Sequence, residues 1–510
     1  MDILAFALYF VAMVAIGIIF FFKSKSATEK DYFLGGRSMG PWVTAMSAQA
    51  SDMSAWLLMG LPGSILAFGF GQAWIGIGLA IGTAANWILV AKRLRKFSKA
   101  SGDAITLPQY LSNRFVSKSH ILSIICAVVF LVCFTIYVAS AFVAGSDVFT
   151  TLIPSLSKST AMIIFAIIVL AYTFLGGFKA VCWTDFFQGL LMLGALLIVP
   201  VVVGFTRELE PAALTTVYQG PNGEEFKFVA NFFNASWKDI LSGLGWGLGY
   251  FGMPHIIVRF MAIEKPSMVK KSATVAIIWV VLSLAATIVI AYLGRMFVYS
   301  NGTDLSEVLL AKGQQSLIFV ELARDVFPAF IAGLLLAAII AASMSTADSQ
   351  LLVAASSFAS DLYKPIIRKN ASNKEMLWVS RIVVLAIAVI AYFIASSEGD
   401  AAQAIMNLVS NAWGIFGAAF GPAVLFSLFW KRFTYKGAVA GIVVGALVDM
   451  AWLWLPIGGA TLTASTGIYE IIPGFIIGAI AAVVVTLLDK KPSAEVEAIF
   501  EMATNNEIDD

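Results

Sequence analysis

The residues of this chain best able to do chemistry are oxygen-bearing side chains set where oxygen is costly. The stretch SAQASDMSAWLLMG, residues 47–60, holds Asp52 with Ser47, Ser51, Ser54 and Gln49 in an otherwise apolar run. A second cluster, AASMSTADSQ at 341–350, sets Ser345, Thr346 and Asp348 inside another. A charge at bilayer depth costs about 2.5–3.5 kcal/mol on insertion scales, so it normally faces a cavity or a cation. Carboxylates, hydroxyls and freed backbone carbonyls are the ligands that small hard cations take. A serine in an apolar helix can instead bond back to its own backbone, and for any one serine alone that is the plainer reading. A cation site drawn from both clusters requires that they meet in space.

The elements that carry these clusters belong to a membrane protein. The chain has 510 residues, is 60% hydrophobic and 13% charged, and has a mean hydropathy of +0.88. Soluble domains run near 45–50% apolar and about 25% charged. Apolar stretches of membrane-spanning length lie near 3–22, 41–66, 70–91, 120–148, 160–176, 182–204, 238–262, 272–298, 317–357, 376–396, 401–430, 437–456 and 468–488. They lack period-two alternation. The expected class is an all-α integral membrane protein of about 13 transmembrane helices, not a barrel. No polar stretch is long enough for an enzyme module. The longest are 206–236 and a tail from about 489, which is acidic and expected to be mobile. The basic segment KRLRKFSK, 92–99, reads as a cytoplasmic loop that fixes topology or touches anionic lipid, with no nucleic-acid role.

Starting the N-terminus outside and alternating places 26 of the 33 Lys and Arg, Arg259 among them, on the cytoplasmic side. The positive-inside rule then predicts an outside N-terminus and a cytoplasmic C-terminus in the cytoplasmic (inner) membrane. The opening MDILAFALYF has an acid before its apolar run and lysines after it, the reverse of a signal peptide, so this segment is expected to stay as an anchor. Cys126, Cys133 and Cys182 fall in apolar stretches and read as small buried hydrophobes.

Two stretches are interrupted. One ends in MGLPGS, 59–64; the other contains GLGWGLGYFGMPH, 243–255, with five glycines and a proline. Glycine and proline free backbone groups that protein, water or ligand must then satisfy within a membrane. Such breaks at matching places in two halves point to a transporter of inverted repeats, with its site where the helices break. They fall in the second and seventh stretches, which predicts five-helix repeats at about 41–206 and 238–430 within a single transport domain, followed by a cytoplasmic tail at about 489–510. Glycine-rich faces also pack helices closely, and for a single segment that reading is the simpler one.

Residues 31–64, DYFLGGRSMGPWVTAMSAQASDMSAWLLMGLPGS, resemble the sodium/solute symporter family, most closely its sodium/proline branch. FTIYVAS at 134–140, FLGGFKAVCWTD at 174–185, GWGLGYFGMPH at 245–255, MSTADSQLLVAASS at 344–357 and YEIIPGF at 469–475 carry the same resemblance. GG-F-x-A at 176–180 and R-x4-GA-x2-GIVVG from Arg432 to Gly445 match the family's signature patterns. The likeness covers essentially the whole chain.

It implies a five-plus-five, LeuT-like core with broken helices. It also implies sodium-coupled uptake of L-proline by alternating access, the alternative being another small solute such as pantothenate, a sugar or a different amino acid. By the same resemblance, sodium as coupling ion would be held by carbonyls of Ala50, Met53 and Ala342 and by hydroxyls of Ser345 and Thr346, with Asp52 near the ion. Substrate contacts would come from Ser54, Trp56, Tyr137, Trp246, Tyr250 and Pro254. Asp185 matches an acid tied to sodium handling, and a monomer in membrane lipid would suffice for transport. Ala55 stands where glycine is common and Gln49 where some relatives have a small residue, and both lie beside the expected pocket.

Enzyme chemistry lacks its parts here. The two histidines, His120 and His255, are isolated, and HExxH is absent. A pure receptor, the sensor-kinase fusion that some relatives form, is not the expected reading.

Overall fold

The computed structural model describes residues 1–23, 28–175, 177–398 and 403–505. Lys25, Gly176 of the GG-F-x-A pattern and the last residues of the tail lie outside them. A segment in lipid must satisfy its own backbone, so the apolar stretches fold as helices. These are α1 (Asp2–Lys23), α2 (Pro41–Met53), α3 (Gly60–Phe68), α4 (Phe70–Ala85), α5 (Lys92–Ala100), α6 (Ile121–Leu152), α7 (Lys158–Leu175), α8 (Phe178–Thr206), α9 (Trp237–Gly245) and α10 (Pro254–Ala262). They continue with α11 (Val269–Met296), α12 (Ala329–Ser357), α13 (Asn373–Glu398), α14 (Ala404–Phe429), α15 (Tyr435–Trp454), α16 (Ile471–Leu488) and α17 (Ala494–Thr504). Among the described residues, ten helices are long and apolar enough to cross a membrane. The other three expected stretches are the two interrupted ones and the shorter α7.

Both interruptions are real breaks. After α2 the chain turns at Ser54, whose φ of +49° lies in the left-handed region, and a short 3₁₀ turn, Ala55–Leu57, precedes α3. After α9 comes a 3₁₀ turn, Trp246–Phe251, and Pro254 opens α10 at the helix start, where a missing N–H costs nothing. The glycines of this second break also serve close packing. A Cβ on Gly78 of α4 would lie 2.1 Å from the Gly243 carbonyl, and one on Gly252 would lie 2.3 Å from the Phe416 carbonyl of α14. The backbone of the second break is therefore pressed between α4 and α14. The α2 helix packs on α8, α10, α11 and α12, which brings both oxygen-bearing clusters to the centre of the molecule.

Four expectations are corrected. The stretch 317–357 is not one span. A separate helix, Ile318–Val326, ends before Pro328, which lacks an N–H to continue it, and the spanning helix starts at Ala329. Residues 92–99 form a helix, not a loop, with Arg95 buried and donating to the carbonyls of Ile263 (2.7 Å) and Glu264 (2.9 Å). The tail is docked as α17: Phe500 meets Phe97 edge-on, Arg114 donates to the Val496 carbonyl at 3.0 Å, and Lys431 pairs with Glu497 and Glu501. Its apolar face and two acids answer a ring and a cation that α5 and the start of the Lys431 loop present. Arg259, counted with the loop cations, lies buried within α10.

The end of the molecule that carries these loops is crossed by polar ties. Arg37 donates to Asp103 Oδ1 (2.7 Å), Ser98 Oγ (3.1 Å), the Ala104 carbonyl (2.8 Å) and the Met261 carbonyl. Lys30 pairs with Asp103 and Lys364 with Glu29, while Thr106 donates to the Asp361 carboxylate at 2.8 Å. Partial burial of Asp103 disfavours its charge, yet Lys30 and Arg37 more than offset this and hold the carboxyl below its ordinary range.

Candidate functional site

The last four carbonyls of an α-helix have no partner within it. In α2 these are residues 50–53, and the break at Ser54 leaves them in the protein interior. Two are taken up by side chains from distant helices. The Ala50 carbonyl accepts from Ser345 Oγ at 2.8 Å and from Thr346 Oγ1 at 3.4 Å, and Ser345 also lies 3.2 Å from the Ala342 carbonyl. The Asp52 carbonyl accepts from the Tyr137 hydroxyl at 3.2 Å. Ala50, Ala342, Ser345 and Thr346 thus form one buried cluster of four oxygens between α2 and α12. Two carbonyls and two hydroxyls with no charge of their own suit a small monovalent hard cation better than a transition metal. Met53, the remaining ligand expected from the resemblance, lines the neighbouring cavity.

The two breaks meet at Asp52. Its carboxylate is buried and accepts from the Tyr250 hydroxyl at 2.6 Å, a charge-assisted bond across 198 residues of chain. The hydrogen bond of the Asp52 carboxylate runs to the second break and not to the four-oxygen cluster. Trp56 and Trp246, one from each break, stack with ring centres 5.4 Å apart. Between the two breaks lies a narrow cavity of about 10 Å³, room for about one water, lined by Asp52, Met53, Trp56, Leu79, Tyr137, Trp246, Val409 and Trp413. It combines a carboxylate with aromatic walls, the chemistry a small amphipathic solute requires, and must widen to admit one. A larger cavity of about 560 Å³ shares Trp246 with it.

Of the six expected substrate contacts, Trp56, Tyr137 and Trp246 line the narrow cavity. Ser54 caps the turn by accepting from the Trp56 N–H at 3.1 Å. Tyr250 is engaged with Asp52, and Pro254 starts α10 without lining the cavity. Leu79, Val409 and Trp413 were not foreseen. They are apolar residues in apolar helices, and only the spacing of Val409 and Trp413 on one helical face hints at a shared role.

Asp185 and Asp348 stand in a second polar centre. Arg259 Nη2 lies 2.9 Å from Asp185, both side chains buried, and it also donates to Ser349 Oγ at 2.6 Å. Ser47 donates to Asp185 at 2.6 Å, and Ser349 lies 3.4 Å from Asp348. Such a pair fixes position more than it stabilises, because desolvation cancels much of the attraction. It locks α8, α10 and α12 to α2 next to the four-oxygen cluster.

Broken helices around a buried oxygen cluster and a small cavity define a membrane transporter, and the chain belongs to the sodium:solute symporter family, whose model matches residues 32–445. Among its relatives, the sodium/proline symporter of Escherichia coli (strain K12) is 43% identical over 506 residues, covering 98% of this chain and 95% of that protein. The high-affinity proline transporter PutP of Bacillus subtilis (strain 168) is 41% identical over 482 residues, covering 94% and 97%. A sodium-coupled sialic acid symporter solved in a substrate-bound, outward-open state superposes with a TM-score of 0.74 at 19% identity, covering 96% of this chain and 98% of that one. It shares the fold.

Proposed function

We propose that the protein takes up L-proline together with sodium across the cytoplasmic membrane by alternating access, with its N-terminus outside. The observation that carries the reading is the meeting of the two helix breaks at Asp52, Tyr250, Trp56 and Trp246, beside the oxygens of Ala50, Ala342, Ser345 and Thr346. The likeness to proline transporters along 94–98% of the chain supports the choice of solute. Sodium binds between α2 and α12, where the Met53 carbonyl completes five oxygens. Asp52 makes that region favourable to a cation without ligating it. Proline occupies the narrow cavity once the two breaks part and widen it, its ring against Trp56 and Trp246. The two repeats, about 41–206 and 238–430, rock about this site, which then opens to either side in turn.

A tenfold sodium gradient supplies about 1.4 kcal/mol, and one charge moving inward gains about 2.3 kcal/mol per 100 mV. Together these support several-hundredfold accumulation at one sodium per proline. The test is uptake of labelled proline into proteoliposomes against a panel of amino acids, pantothenate and sugars. Uptake that follows an imposed inward sodium gradient and is competed by proline is the expected result. Uptake indifferent to sodium, or competed better by another solute, overturns the reading.

A further inference from the structure

We infer that Tyr469 is a positioning residue of the barrier between the two cavities: its ring backs Trp246 and sets how long a bound solute stays enclosed. The inference rests on the proline and sodium reading above.

Tyr469 precedes α16, outside both proposed repeats, in the YEIIPGF segment to which the transport cycle described above gives no part. Its ring stacks on that of Trp246 at 5.0 Å and 25°. Three rings thus stack on Trp246: Trp56 at 5.4 Å, Tyr469 at 5.0 Å and, more distantly, Trp413 at 6.4 Å. Trp246 lines both cavities, whereas Tyr469 lines only the larger one. A solute passing between the cavities must displace Trp246 from at least one of these rings.

Tyr469 is held from several directions. Its hydroxyl donates to the Ser410 carbonyl of α14 at 2.7 Å, and its N–H donates to Ser242 Oγ of α9 at 3.1 Å. Ser242 in turn donates to the Gly467 carbonyl at 3.3 Å. The segment just before it is pinned as well, since Trp452 of α15 donates to the Ile468 carbonyl at 3.3 Å. Trp246 sits instead in a 3₁₀ turn, whose hydrogen bonds have poorer geometry than those of an α-helix. The anchored ring is the fixed leaf and Trp246 the moving one. Removing the fixed leaf takes away the nearest ring stacked on Trp246, so the enclosed solute escapes sooner into the larger cavity.

The experiment measures release of labelled proline from purified protein in lipid nanodiscs with sodium present, after dilution into excess unlabelled proline. The variants are Tyr469→Phe, which keeps the ring, and Tyr469→Leu and Tyr469→Ala, which remove it. Ring pairs of this kind correspond to about a two- to twelvefold change in rate. Tyr469→Leu and Tyr469→Ala should release proline faster by that factor, while Tyr469→Phe stays within about twofold of the parent. A purely structural role would lower the bound fraction or the melting temperature and leave the release rate of bound proline unchanged. Parent-like release in Tyr469→Leu and Tyr469→Ala overturns the inference alone. If a variant fails to fold, the other ring-less variant carries the test. Failure of the parent protein to bind proline with sodium overturns the proline reading, and this inference with it.

Discussion

At the scale of single residues, Asp52 has a defined task. A carboxylate this deep needs compensation, and the structure supplies one neutral hydroxyl, Tyr250, rather than a cation. The remaining charge acts on its surroundings. At an effective dielectric of ~20, a monovalent ion several ångströms away gains about 2 kcal/mol from it. Asp52→Asn keeps the shape and the Tyr250 contact but removes that gain. The sodium concentration for half-maximal proline uptake should then rise about thirtyfold, read from a sodium titration at matched expression. A normal sodium curve would make the carboxylate a structural cap of the break and move the coupling role to Asp185, which already has Arg259 as its partner.

Pairs of elements decide whether the oxygen cluster exists at all. Helix α2 offers the Ala50 carbonyl only because it stops at Met53, and α12 answers with Ser345 and Thr346. Replacing both by alanine removes two of the four clustered oxygens and leaves the Ala50 carbonyl without these donors. Membrane insertion should persist, since the span becomes more apolar. Sodium-dependent proline uptake should fall about five- to 150-fold, or lose its sodium dependence, as expected for about 1–3 kcal/mol of lost polar satisfaction. Calorimetry with sodium alone checks this independently of transport, and an unchanged sodium affinity would place the ion elsewhere.

Across the whole molecule the two ends differ. One holds the larger cavity; the other is tied shut through Arg37, Asp103, Lys30, Thr106, Asp361, Glu29 and Lys364. Alternating access requires these ties to part. Asp103→Asn removes the carboxylate shared by Lys30 and Arg37 at nearly constant volume, and Arg37 is only 6% exposed. Deuterium exchange of residues 29–37 and 261–264 should increase severalfold, while exchange around the larger cavity stays the same. Unchanged exchange in those segments would show that the pairs do not keep that end closed. Because the folded Asp103 carboxyl titrates below its ordinary value of about 3.9, its contribution is present above that pH and is lost only as pH falls through the lower folded value. The closed end should therefore be insensitive to pH between about 5 and 9 as far as Asp103 is concerned.

Much was legible in the sequence because much of this protein is dictated locally. The length of an apolar run against a bilayer makes a spanning helix, and glycine and proline within it mark a break, whatever lies elsewhere in the chain. Asp52, Ser345 and Thr346 declared themselves by being polar where polarity is costly. Tertiary structure alone decided what each of them meets. Ser345 and Ala50 are 295 residues apart, and no local pattern records that their helices cross at that level. Arg259 read as a loop cation because its partner, Asp185, lies 74 residues away and only the folded core neutralises it. The docking of α17 was hidden for the same reason: its acids look like a solvated tail until Lys431, Arg114 and Phe97 are placed beneath them. Leu79 left no trace, and Val409 and Trp413 left only their four-residue spacing, since an apolar residue that lines a cavity has the same composition as one that faces lipid. Local hydropathy and backbone chemistry determine which segments span and where they break, and packing over long sequence separations determines which freed oxygens and rings face one another.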